Sequence, residues 1–487
     1  MRWRKLHRLT LSILIHRLLS PELSFETMVA VGLVGLAPRP PRPSVFGRCF
    51  RRPRTRRGGR AVPFTVKDVK VKQRNAARDA PDLQEDVEVM GVKDGVAVIA
   101  GSALGGGFLA LPLVTAPLGI LPSLVGLGMA WAFIAALCTV YAEVSAQTLT
   151  DKALEAVQGR EDRPMLEQEG VSIVSVAQRR LGDSAAVVCS VAFLFQMLAV
   201  VTAQVAKSGE LLESLMGLPY VGGCILPSIF LGLFTFEMPV KLVEQTNTIL
   251  TALMVIGFAL LVVNSCMTIS FAELPELISN LPRENWKPLL PAAGTTTWAL
   301  PIFFNLLCYG QSVPLVVERM GAQRSSKIRN TILLGSVIPL ILGIIWVCVA
   351  ALLGSRLNLD GAEDPVLQLV HGPWSIALPV LLLAAGAIGT TLIASYLALG
   401  QFAADALCAA TGSCSLEDNQ RAKVASVMLP ALTACIGPQL YLPLLSFAGA
   451  FPSVLLYGVL PPVALLLSRS PKKLPGRDLL GTVLGLG

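Results

Sequence analysis

Between residues 95 and 468 the chain carries one uncharged, apolar run after another, each near or above the 20 or so helical residues that span about 30 Å of hydrocarbon. Few folds are open to such a pattern. It predicts an all-α, multi-pass membrane protein. Residues 95–150 hold a single carboxylate, Glu143, and APLGILP at 116–122 splits them into two spans. Further spans are predicted at 184–215, 218–236, 246–271, 295–317, 331–354 and 373–407. The stretch 424–468 breaks at Gly437 and Pro438 into two more, making ten. Residues 481–487 read as the opening turns of an eleventh helix that the chain does not complete.

The formal net charge of +8 does not point to nucleic acid. Residues 1–63 carry fourteen Lys and Arg against Glu22 and Glu26, so the rest of the chain is slightly acidic. That basic, acid-poor segment reads as a transit peptide, joined by a polar linker at 64–94 to the first span. A plastid inner envelope is the expected location, with the mitochondrial inner membrane and the plasma membrane as alternatives. Further along, cations such as Arg179, Arg180, Arg319, Arg324, Lys327, Arg329, Arg421 and Lys423 fall after even-numbered spans. The opposite loops hold only Arg283, Lys287 and Arg356, which places the cationic face on the cytoplasm-like side.

Enzymatic chemistry finds little to use. The ten cysteines form no CxxC pair, and the three histidines, His7, His16 and His371, make no ligand cluster, so no metal and no cofactor are expected. GSALGGG looks like a phosphate loop, but no Lys-Ser or Lys-Thr follows its last glycine. Neither paired carboxylates for a membrane-embedded enzyme nor a filter loop or charged ring for a channel is visible.

Two interruptions carry the functional signal. GSALGGGFLALP, residues 101–112, puts three consecutive glycines in the first span, and FFNLLCYGQSVP, residues 303–314, puts Gly310 and Pro314 in the sixth. Breaks that free backbone groups at membrane depth are tolerated where protein or a water-filled cavity surrounds them. One break opening each of two five-helix halves, 95–272 and 295–468, points to an inverted-repeat transporter with its site at the repeat interface. Freed amides suit a carboxylate and freed carbonyls an ammonium group, and a zwitterionic amino acid needs both. The competing reading is packing, since Gly101 and Gly105 also form a GxxxG spacing.

These segments, with GAQRSSKIRNTILLGSVIPL at 321–340, resemble the tryptophan/tyrosine permeases of the amino acid-polyamine-organocation superfamily, in the style of plant and algal plastid members. The resemblance runs from about residue 95 to residue 468. It implies a LeuT-type fold of two inverted five-helix repeats and proton-coupled uptake of an aromatic amino acid, with a non-aromatic amino acid as the alternative, between broken helices 1 and 6. By position it implies substrate contacts at Gly101, Ser102, Gly105, Gly106 and Gly107, and at Asn305, Tyr309, Gly310 and Gln311. Ser102 and Ala103 stand where threonines are usual, Cys308 where bacterial members have glycine and Gly310 where they have histidine. The lipid bilayer and a small-molecule amino acid are the expected partners, with no nucleic acid and no obligate protein.

Candidates for the coupling ion, a proton with sodium as the alternative, come from polar side chains inside spans. Lys207 and Glu210 lie three residues apart on one face of the third span, as a proton relay, a structural ion pair or a lysine snorkelling to the membrane surface. Thr390, Thr391 and Ser395 fall at helical spacing in the eighth, as a cation site against the first helix or as ordinary helix hydroxyls.

Overall fold

The computed structural model describes residues 90–157, 172–268, 284–289, 299–357, 364–411 and 416–468. The transit-like segment, nearly all of the linker and residues 469–487 lie outside them. Every regular element among the described residues is helical.

The first span is broken as the glycines predict. α1 (Val92–Ala103) begins where the Gly91 N–H donates to the Asp94 carboxylate at 3.1 Å. After Ala103 the backbone is extended through Leu104 and Gly105, makes a 3-10 turn over Gly106–Ala110 and continues as α2 (Leu111–Thr115), bent by 45°. A connection ending at Gly119, whose φ of 82° suits a residue without a Cβ, leads into α3 (Ile120–Val157).

α4 (Ile173–Leu181), short and amphipathic, precedes the third span and is anchored by Arg180 to Asp151 at 2.9 Å. There follow α5 (Asp183–Met216), α6 (Tyr220–Glu237) and α7 (Val240–Thr268). The sixth span is broken like the first: α8 (Ala299–Leu306), a 3-10 turn at Gly310–Ser312, then α9 (Val313–Met320) with Pro314 in its first turn. α10 (Ser325–Arg356), the short α11 (Pro365–Val370) and α12 (Trp374–Thr411) complete the seventh and eighth spans.

The run predicted at 424–468 divides at Gly437 as expected, but its first half differs. α13 (Leu416–Ala434) opens with Glu417, Asp418, Arg421 and Lys423, so only its second part is apolar. Among the described residues eight helices are long and apolar enough to cross a membrane, nine with the bent first pair, and α13 is not one of them. The last span contains α14 (Tyr441–Ala448), a π-helical stretch at Gly449–Val459 and α15 (Leu460–Ser468).

The outward faces carry large apolar side chains such as Phe195, Phe230, Leu233 and Met267, all exposed, as lipid-facing surface requires. Inside, small residues let backbones touch. A Cβ on Gly257 of α7 would come within 2.7 Å of the Pro379 carbonyl, and one on Gly386 of α12 within 2.7 Å of the Met254 amide. Lipid gives no hydrophobic drive between helices, so this close α7–α12 crossing is held by van der Waals contact.

Candidate functional site

In the first helix the ladder stops at the Leu104 N–H, which donates to the Ala100 carbonyl at 3.2 Å, and restarts at the Phe108 N–H, which donates to Gly105 at 3.0 Å. It skips the amides of Gly105, Gly106 and Gly107. In the sixth it stops at Cys308, which donates to Asn305 at 3.4 Å, and restarts at Ser312, which donates to Tyr309 at 3.0 Å. Gly107 lies against Leu306, a Cβ there falling 3.4 Å from the Leu306 Cα, so the two breaks are in contact.

Gly106 is held on three sides. Its N–H donates to Thr391 Oγ1 at 2.9 Å, its carbonyl accepts from the Tyr441 hydroxyl at 3.2 Å, and the Gln204 amide packs where its Cβ would stand. Two positions on, the Phe108 carbonyl accepts from Trp346 Nε1 at 2.8 Å. Helices α5, α10, α12 and α14 thus fix this piece of non-helical chain. Gln204 is wholly buried, and neither atom of its amide has a hydrogen-bond partner among the described residues. An unpaired buried polar group costs about 1–3 kcal/mol, and such groups mark places where water or a ligand belongs.

At the second break Gly310 sits under the Tyr457 ring, where a Cβ would collide. The hydroxyls of Tyr141 and Tyr457 are buried with no hydrogen-bond partner among the described residues, and their rings stand 6.3 Å apart. Cys138, Phe304, Cys308, Ser453 and Tyr457 line a cavity of ≈ 20 Å³, room for about one water. Towards the cationic face opens a cleft of ≈ 670 Å³, lined by Glu143, Asp151, Arg180, Ser325 and Arg329 and reaching Thr139, next in chain to Cys138.

The structure sorts the residues singled out in the sequence. Gly105, Gly106, Gly107, Tyr309, Gly310 and Thr391 come together around the two breaks, and Asn305 packs beside Gly449. Gly101 is exposed with nothing near it, Gln311 is exposed, and Ser102 turns its hydroxyl back to the Ile99 carbonyl at 2.9 Å. Thr390 likewise donates to Gly386 of its own helix at 2.8 Å, and Ser395 is buried one turn further along.

Lys207 does not snorkel. It is 0% exposed and paired with Glu210 at 2.7 Å and with Asp364, and its ammonium lies 5.5 Å from the centre of the Tyr441 ring. Gln204, Asp364, Tyr441 and Tyr457 escaped the sequence reading. Gln204 could have been found as an amide one turn from Lys207 inside an apolar run. Asp364 reads in sequence only as a helix cap before Pro365, because its ionic partner is 157 residues away.

Helices of membrane-spanning length around two adjacent breaks define an integral multi-pass membrane transporter. Residues 90–484 match the tryptophan/tyrosine permease family, and the chain belongs to it. It is a secondary amino acid transporter and not an enzyme. No curated protein matches the chain in sequence. Among solved structures it is similar to a Na+-coupled sialic acid symporter in a substrate-bound, outward-open state, with 12% identity, 77% of this chain and 84% of that one covered, and a TM-score of 0.44. It is also similar to a manganese transporter of Eremococcus coleocola in complex with an aromatic bis-isothiourea substituted compound, with 11% identity, 84% and 86% covered, and a TM-score of 0.47.

Proposed function

We propose that this chain carries an aromatic amino acid, tyrosine or tryptophan, in symport with a proton, by alternating access around the two breaks. The observation that carries this reading is the contact between two interrupted helices with the unpartnered Gln204 amide beside one of them. The amides skipped at Gly105 and Gly107 suit the substrate carboxylate, and carbonyls at the ends of α1 and α8 suit its ammonium group. Phe304, Tyr309 and Tyr457 offer an aromatic side chain ring surfaces at the second break. The cavity there is far smaller than an amino acid, so loading needs the helices to part, as a rocking-bundle carrier does when substrate binds its open states unequally.

Thr391 already bonds Gly106, which makes it a support of the first break; a cation held by Thr390, Thr391 and Ser395 is the weaker reading. For location we favour the plastid inner envelope, on the composition of residues 1–63. Reconstituted vesicles test the function. Labelled tyrosine uptake should saturate, exchange with internal amino acid and be competed most strongly by aromatic amino acids. Equal competition by small aliphatic amino acids would contradict the aromatic assignment, and an unsaturable ion current would contradict the carrier.

A further inference from the structure

On α5 the side chains of Gln204, Lys207 and Glu210 follow one another at three-residue steps along one face. Two carboxylates meet the buried Lys207 ammonium: Glu210 at 2.7 Å, and Asp364 from the connection between α10 and α12. One cation against two carboxylates leaves a surplus negative charge in a cluster largely out of water, and such a charge calls for a counter-ion or a proton.

The carboxylates are not equivalent. Asp364, 7% exposed, has both oxygens bonded, one by Lys207 and the other by the Val366 N–H at 2.8 Å. Glu210 has one oxygen on Lys207 and none of the described residues on the other, and at 23% exposed it is the member that water reaches. Around them, Tyr441 from α14 faces both carboxylates and Tyr220 from α6 faces Glu210. Glu213 lies on the same helix, and His371 is bonded to Ser214 at 2.6 Å.

We propose that Glu210 binds the coupling proton, an assignment that rests on the proton-coupled carriage proposed above. With Glu210 ionised, the cluster carries its surplus charge, and parting α11 from α5 to admit water relieves it. A proton on Glu210 makes the cluster neutral and leaves Lys207 to Asp364, which holds the start of α11 against α5. The closed face therefore binds the proton more tightly than the open one, and by linkage the proton favours closure. Two contacts tie this to the substrate site. Tyr441 faces Lys207 with its ring and donates its hydroxyl to the Gly106 carbonyl, and Gln204, one turn from Lys207, packs on Gly106.

The test is Glu210→Gln in vesicles loaded with a pH-sensitive dye. Wild-type protein should acidify the lumen when labelled tyrosine enters. The variant should still exchange labelled for unlabelled tyrosine, with substrate-driven acidification reduced to that of empty vesicles. Asp364→Asn gives a second reading should the first variant not assemble. It leaves Glu210 as the sole partner of Lys207, so the pH profile of uptake should differ from that of the wild type. Acidification that persists in Glu210→Gln, or an unmoved pH profile in Asp364→Asn, overturns the assignment while leaving amino acid carriage intact. Wild-type protein that exchanges tyrosine without moving protons overturns the proton symport beneath it.

Discussion

Gly106 concentrates the physical demands of the site in one residue. Its backbone groups are engaged by Thr391 and Tyr441, and its missing side chain leaves the space the Gln204 amide fills. Overpacking costs about 1–3 kcal/mol where neighbours cannot yield, so Gly106→Ala should lower tyrosine uptake by about tenfold or more. Gln204→Ala in the same chain should restore part of that loss; a double variant no better than Gly106→Ala alone would place the cost elsewhere. Thr391→Val removes the acceptor of the Gly106 N–H and should lower stability by about 1–3 kcal/mol, read as earlier thermal unfolding in detergent. The glycines of this segment were legible from the sequence because a helix with three of them together is weak wherever it sits. Their partners were not, since Gln204, Thr391 and Tyr441 become neighbours only once α5, α12 and α14 have packed.

At the scale of elements, the two breaks and the close crossing of α7 with α12 do most to fix the architecture. Gly386→Leu drives a side chain into the backbone of α7 and should sharply lower the yield of folded protein, seen as loss of the monodisperse peak in size-exclusion chromatography. Gly128, with nothing within 4 Å of a Cβ, should tolerate the same change. Hydropathy located the long helices because a span has to be apolar for about 20 residues. It failed where that rule does not apply: the charged first turns of α13, the short α4 and α11, and the π-helical stretch on which Ser453 and Tyr457 are carried to the second break. Nothing in local composition distinguishes a π-helical stretch from an α-helical one.

In the molecule as a whole, the proposed cycle has the two breaks part to admit a zwitterion and close over it. Lys207→Gln leaves Asp364 without its buried counter-charge, and should abolish proton-driven accumulation; a variant that accumulates tyrosine like wild type would exclude any coupling role for the cluster. The central claim is that substrate lies between the breaks, and Cys308, in the second break, reports on it directly, with exposed Cys266 at the end of α7 as the internal control. The measurement is thiol alkylation in membranes, read by peptide mass spectrometry with and without saturating tyrosine or tryptophan. Substrate should slow modification of Cys308 and leave Cys266 unaffected, whereas equal modification of Cys308 in both conditions would contradict a site between the two broken helices.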